Sequence, residues 1–346
     1  MSPFWVSDNG TGLTTLYKAA GTEQFPVPAP PGGSQMPVII APPNGSPPGT
    51  MAAPTGQVFN IGGPNDFVVS SGGQSGRATF IFATEDGTSS GWSGNIRPQQ
   101  TFLSPVDNSA SGAVYKGLAT ASTPSGTFLY AANFKSGKVE MYNANWGLVK
   151  SFTDATLPAG YAPFNVQVLG GKLYVTFALQ NAAKHDDVAG LGNGFVDVFN
   201  LDGTPGLSGR NLRLVSNGDL NSPWGLAIAP AGFGEFTSDL LVGNFGDGLI
   251  HAFDPMTGAP VGTLDGLNGN PIDIPGLWAI EPGNNVANSN AIYFTAGLPK
   301  ANMPNVVEQA GLFGDLATAA VPEPGSLALL ATGLTGLMWF RRRRAV

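Results

Sequence analysis

Apolar residues along this chain recur at every second position in short runs, and glycine-containing turns separate the runs. Three stretches superpose: 128–143, 239–254, and 172–177 joined to 194–200 after an insertion. Each reads as an apolar strand, a turn with glycine, and a second strand that alternates apolar and polar positions before closing on Asn or Asp. That is the pattern of a β-hairpin buried on alternate residues. Weaker copies lie at 4–12, 80–87 and 291–297, which brings the count to six. A further strand precedes most hairpins and opens on proline at Pro54, Pro163, Pro223 and Pro275, while 112–118 takes that place without one. Proline is tolerated there because its missing N–H falls before the ladder begins. A fourth short strand follows several hairpins, at 212–216 and 260–264. Four strands per unit, repeated six times, predict an all-β, six-bladed β-propeller over residues 1–318. A two-sheet sandwich is the competing fold, but it does not repeat one signature six times.

The ends of this body are irregular. The chain opens at 4–8 on what aligns as the second strand of a blade, and the last blade has one candidate strand, 310–316, after its hairpin. The expectation is therefore that the first and last blades are incomplete and that residues upstream, with a signal peptide, supply the missing strands. A proline-rich stretch, 24–56, holds ten prolines inside the first blade and reads as a loop of polyproline character.

Composition narrows the chemistry. With 49 Gly and 29 Pro among 346 residues, long helices are excluded through most of the chain. There are no cysteines and two histidines, so disulfides, thiolate catalysis and multi-histidine metal centres are excluded. Of 16 cationic residues four are Arg341, Arg342, Arg343 and Arg344, leaving twelve against 23 acids in the rest of the chain, a balance that predicts no nucleic-acid partner.

In a propeller, ligands sit where loops of several blades converge at one mouth of the channel. Aligned hairpins put Asp8, Glu85, Asn133 and Asn244 at equivalent turn positions, an oxygen-rich set that could hold calcium. The same residue types also suit a hairpin turn, with no ligand involved. The insertion at 180–193 carries Lys184, His185, Asp186 and Asp187, whose imidazole and carboxylates could act as base or ligand, or form a solvated loop. Trp224 and Phe164, each after a strand-opening proline, could stack on a ligand or pack between blades. His251 lies mid-strand and reads as structural. No complete catalytic set can be assembled.

The tail, 319–346, is a separate unit. Pro322, Glu323 and Pro324 lead into the uncharged run 326–340 and then the four arginines. Fifteen residues of helix span about 22 Å, short of the ~30 Å hydrocarbon core. Motif, apolar run and basic cluster together resemble the PEP-CTERM sorting tail of exported bacterial proteins. The resemblance implies processing by an exosortase, transient residence of a short hydrophobic helix in the inner membrane, and export of all that precedes Pro322, with the arginines left on the cytoplasmic side. It also implies a setting of extracellular polysaccharide.

The body resembles NHL-like and lactonase-like propellers. On residues 222–226, 184–190, 194–199 and 83–87 it is similar to a family of secreted bacterial propeller proteins with no assigned reaction. Lactonase-type propellers use Glu, Asp and Asn around a metal. The function this supports is a non-catalytic cell-surface or matrix module that binds a glycan or a protein. The alternative is a secreted divalent-metal-dependent hydrolase or lactonase with its site at the channel mouth.

Overall fold

Among the described residues, apolar positions spaced two apart, closed by turns that glycine makes at positive φ, yield 25 strands, with two three-residue 3-10 turns as the only helical elements. The computed structural model describes residues 4–25, 36–96, 99–207, 212–284, 286–298 and 310–318. Blade 1 contains β1 (Phe4–Asp8), β2 (Leu13–Tyr17), β3 (Glu23–Gln24) and β4 (Val38–Ile39). Blade 2 contains β5 (Pro54–Phe59), then a side hairpin of β6 (Val68–Ser71) and β7 (Gln74–Arg77), then β8 (Phe80–Thr84), β9 (Thr88–Trp92) and β10 (Phe102–Asp107). Blade 3 is β11 (Tyr115–Thr123), β12 (Gly126–Asn133), β13 (Lys138–Asn143) and β14 (Leu148–Phe152). Blade 4 is β15 (Tyr161–Leu169), β16 (Lys172–Leu179), β17 (Phe195–Phe199) and β18 (Arg213–Ser216). Blade 5 is β19 (Pro223–Ile228), β20 (Leu240–Asn244), β21 (Ile250–Phe253) and β22 (Pro260–Thr263). Blade 6 is β23 (Leu277–Pro282), β24 (Ala291–Leu298) and β25 (Ala310–Ala317).

The result is the six-bladed propeller that the repeat predicts. Blades 2 to 5 are four-stranded antiparallel meanders, and blade 6 has three strands among the described residues. Blade 1 departs from the pattern: β3 and β4 both pair with β2, each covering part of the same edge, so the proline-rich stretch interrupts one outer strand. Residues 26–35 of that stretch, like the predicted C-terminal helix, lie outside the described residues. The other edge of β1 carries no described strand, and the Gln57 side-chain amide of β5 meets the Trp5 carbonyl there.

The core is a ring of seams between blades. Trp5, Phe80, Phe82 and Trp92 fill the seam of blades 1 and 2; Ile81, Leu118, Leu129 and Tyr142 that of blades 2 and 3. Blades 3 and 4 meet through Tyr130, Val166 and Phe177, blades 4 and 5 through Val196, Leu226 and Val242, and blades 5 and 6 through Leu241, Ile280 and Phe294. The sixth seam is aromatic: Phe4 stacks on Tyr293 at 4.5 Å and meets Phe313 at 5.3 Å, and Tyr17 stacks on Phe313 at 5.5 Å.

The innermost strands β5, β11, β15, β19 and β23 share an irregularity that shapes the channel. Each slips register near its first residues, between Pro54 and Gln57, Tyr115 and Leu118, Pro163 and Asn165, Pro223 and Gly225, and Leu277 and Ile280. A β-bulge leaves a residue out of the ladder and re-aims its side chain. The residues so released include Thr55, Lys116, Phe164, Trp224 and Trp278. Glycine lets these strands crowd together: a Cβ on Gly117 would fall 2.0 Å from Asn165 Oδ1, and one on Gly56 2.5 Å from the Lys116 carbonyl oxygen.

Candidate functional site

The bulges fill the upper channel with aromatic rings. Phe164 packs against Phe134 at 5.4 Å, Trp224 at 4.8 Å and Trp278 at 5.8 Å, and Trp278 stacks on Phe245 at 4.2 Å. Phe164 and Trp224, the two residues expected as stacking surfaces, are both buried inside this plug, whereas Phe245 and Trp278 stay half-buried at its edge.

In this aromatic column Lys116 is the exception. Its ammonium lies 5.7 Å from the Phe134 ring and 5.9 Å from the Phe164 ring, within cation–π range. It is 3% exposed and forms an ion pair with Glu85. Glu85 is set by the tight turn between β8 and β9. Its backbone N–H donates to the Ala53 carbonyl at 2.9 Å, Thr84 and Thr88 link their hydroxyls at 2.8 Å, and Gly87 at φ +83° completes the turn. The second Glu85 oxygen accepts from Asn9 Nδ2 at 3.1 Å.

The insertion of blade 4 lies over this pair as an ordered loop. Gln180 Nε2 donates to the Phe134 carbonyl at 2.5 Å, Lys135 Nζ to the Ala183 carbonyl at 2.6 Å, and the Gly190 N–H to Asn221 Oδ1 at 2.6 Å, so blades 3 and 5 both hold it. Asp186 Oδ1 sits 2.8 Å from His185 Nδ1, and Asn181 Nδ2 donates to Asp186 Oδ2 at 3.1 Å. Partial burial works against the charged Asp186 carboxylate, but the His185 hydrogen bond, together with the charges of His185 and Lys116, holds it below the usual carboxylate range. Burial pushes the neighbouring Asp187 up, against the opposing pull of Ser222 and Lys116. One ligand atom each from Glu85, His185 and Asp186 lies within 4.8 Å of the others.

The structure thus gathers His185, Asp186 and Glu85 at one mouth. The remaining turn residues are engaged closer to home. Asn133 Nδ2 donates to Glu140 Oε1 at 2.8 Å while its Oδ1 accepts the Ser136 N–H at 3.1 Å. Asn244 Oδ1 accepts the Asn221 N–H at 3.1 Å, and its Nδ2 donates to the Asp219 carbonyl at 2.8 Å. The Asp8 carbonyl caps its own turn through Thr11 and Gly12. A calcium ion calls for free oxygen ligands, and the two amide oxygens of the expected set already accept backbone N–H groups.

Lys116 escaped the sequence reading. Its signal was present: laid over the other inner strands, position 116 stands in a column otherwise holding Thr55, Phe164, Trp224 and Trp278. His251 is buried in β21, bonded through Nδ1 to Thr263 Oγ1 at 2.9 Å, and burial lowers its pKa despite the nearby acids Asp219 and Asp247.

A second buried charge cluster joins blades 3 and 4 away from the mouth. Arg213 donates from Nε to Asp197 Oδ1 at 2.5 Å and from Nη2 to Asp154 Oδ2 at 2.7 Å, with its guanidinium 4.3 Å from the Phe195 ring. Burial pushes Asp197 up to about 7, outweighing Arg213, with the Asp154 charge adding to the rise.

Several known proteins are similar to this chain. It is 32% identical over 252 residues to "Uncharacterized protein R648" of Acanthamoeba polyphaga mimivirus, covering 70% of this chain and 59% of that one. It is 31% identical over 257 residues to "Uncharacterized protein L690" of the same virus, covering 70% and 63%. The chain therefore spans about three-fifths of the length of these relatives. Among solved structures, virginiamycin B lyase from Staphylococcus aureus is 13% identical with a TM-score of 0.40, covering 91% of this chain and 76% of its own. XC5397 from Xanthomonas campestris, a gluconolactonase, is 17% identical with a TM-score of 0.41, covering 64% and 66%. No helix among the described residues is long and apolar enough to cross a membrane. Beyond the propeller, residues 320–344 match the PEP-CTERM protein-sorting motif, so the chain carries the signal of an exported, sorted protein.

Proposed function

We propose that this protein is an exosortase-sorted propeller (residues 1–318, with 319–346 as the sorting segment) that acts at the cell surface or in the extracellular matrix as a non-catalytic module binding a glycan or a protein. One observation carries this reading: the titratable groups at the mouth are spent on each other, Lys116 on Glu85 and His185 on Asp186, above a channel stopped by aromatic rings. Acid–base catalysis wants a group free to exchange a proton with substrate, in a pocket that encloses it. A plugged channel with a polar rim suits recognition by surface contact instead. The resemblance of the residues quoted above to secreted NHL-like propellers agrees with such a role. Incubating the mature protein with the producing organism's isolated extracellular polysaccharide, and separately with its surface proteins, tests it. Retention by one fraction, weakened by deleting 181–192, is expected; retention by neither sinks the proposal.

The convergence of Glu85, His185 and Asp186 favours a second reading, a divalent-metal-dependent hydrolase or lactonase. Its test is turnover of lactones and esters that responds to a divalent ion and is lost in His185→Ala.

A further inference from the structure

We infer that Glu85, His185 and Asp186 form a binding site for a divalent transition metal of the zinc class at the channel mouth. The inference rests on the site of the second reading but requires no reaction.

Three observations carry it. The first is convergence: residues far apart in sequence, from the blade 2 turn and the blade 4 insertion, bring three ligand atoms within 4.8 Å. Nitrogen and oxygen ligands bind zinc at about 2.0–2.2 Å, so two ligands of one ion lie at most about 4.4 Å apart. The remaining closure is small, and His185 and Asp186, with side chains 45% and 61% exposed, have room to make it by rotamer change.

The second is charge. Glu85 and Asp186 each offer a carboxylate oxygen at the mouth, the ligand type a divalent cation attracts, and the ammonium paired with Glu85 is that of Lys116.

The third is preorganisation. Hydrogen bonds to Phe134, Lys135 and Asn221 hold the insertion in place, so binding need not order a loop.

The ligand types select the metal. Imidazole with carboxylate suits zinc, nickel or copper, whereas calcium takes six to eight oxygens. Lys116 competes with the ion for Glu85 and so weakens the site.

Calorimetric titration of the full chain with zinc chloride, and absorption spectra with cobalt(II) as reporter, test the inference. One ion per chain is expected, with a cobalt spectrum of low-symmetry nitrogen–oxygen ligation. His185→Ala and Asp186→Asn should each weaken zinc binding by about tenfold or more. Both side chains are exposed, and metal-free melting curves verify that the variants fold. Absence of binding at millimolar zinc, wild-type affinity in His185→Ala, or a calcium affinity equal to that for zinc overturns it. Metal binding without lactone or ester turnover upholds this site and removes the hydrolase reading. Turnover with no metal bound and no effect of chelator does the reverse.

Discussion

Lys116 and Glu85 come from the inner strand of one blade and the top turn of the previous one, and they meet as an ion pair with the lysine 3% exposed. Removing one partner of a buried pair leaves the other charge stranded, which costs about 3–5 kcal/mol, whereas replacing both by groups of similar shape is often neutral. Lys116→Met is therefore expected to lower unfolding free energy by about 3 kcal/mol. Lys116→Met combined with Glu85→Gln should recover most of that loss. Urea denaturation of the three proteins, read by tryptophan fluorescence, checks this; additive losses in the double variant would exclude the pairing as a source of stability.

Asp197 imposes a pH dependence. Its folded pKa of about 7 lies above the ordinary 3.8, so the folded state holds a proton that the unfolded state has released. The associated stability is complete below about pH 4 and is lost as pH rises to about 7, at up to about 1.4 kcal/mol per pH unit. Asp197→Asn should flatten this segment of the stability curve while leaving the rest parallel. Equal slopes for both proteins between pH 4 and 7 would contradict the assignment.

Phe164 touches Phe134, Trp224, Trp278 and Phe245, so rings of three other blades surround it. Truncation to alanine opens a void where no single blade can collapse to fill it. Phe164→Ala should cost about 3–5 kcal/mol, and Phe164→Leu distinctly less. The midpoint of chemical denaturation measures both.

How far these features were legible in the sequence follows from how local their causes are. Strand alternation, turn glycines and strand-opening prolines each act over a few residues, and they are sufficient to read six blades. The mouth is different. Whether Asn133 faces a ligand or its own turn depends on the nearby Ser136 N–H, and the local bond prevails. The burial of Trp224 and Phe164 follows from bulges that turn both rings inward, and a bulge has no strong residue signature. Lys116 reaches Glu85 for the same reason, across a blade boundary that strand periodicity does not encode.

The sorting motif at 320–344 yields a prediction about the mature protein. Intact mass of the chain purified from its native host should show cleavage in this region and loss of Arg341–Arg344. A mature species retaining the four arginines would count against processing.

The sixth seam sets how the ring can fail. Among the described residues every strand of blade 1 comes from the first 39 positions and every strand of blade 6 from 277 onward, and no sheet mixes the two. Their junction is made by Phe4, Tyr17, Tyr293 and Phe313, ring against ring, without shared ladder bonds among the described strands. Aromatic contacts of this kind contribute about 0.5–1.5 kcal/mol each beyond the area they bury. Among the described strands that junction is a clasp of side chains rather than a shared sheet. The propeller's cheapest excursion is to unlatch at that junction while blades 2 to 5 stay shut, so amides of β1 and β25 should exchange with solvent by a lower-energy opening than those of β12 or β16.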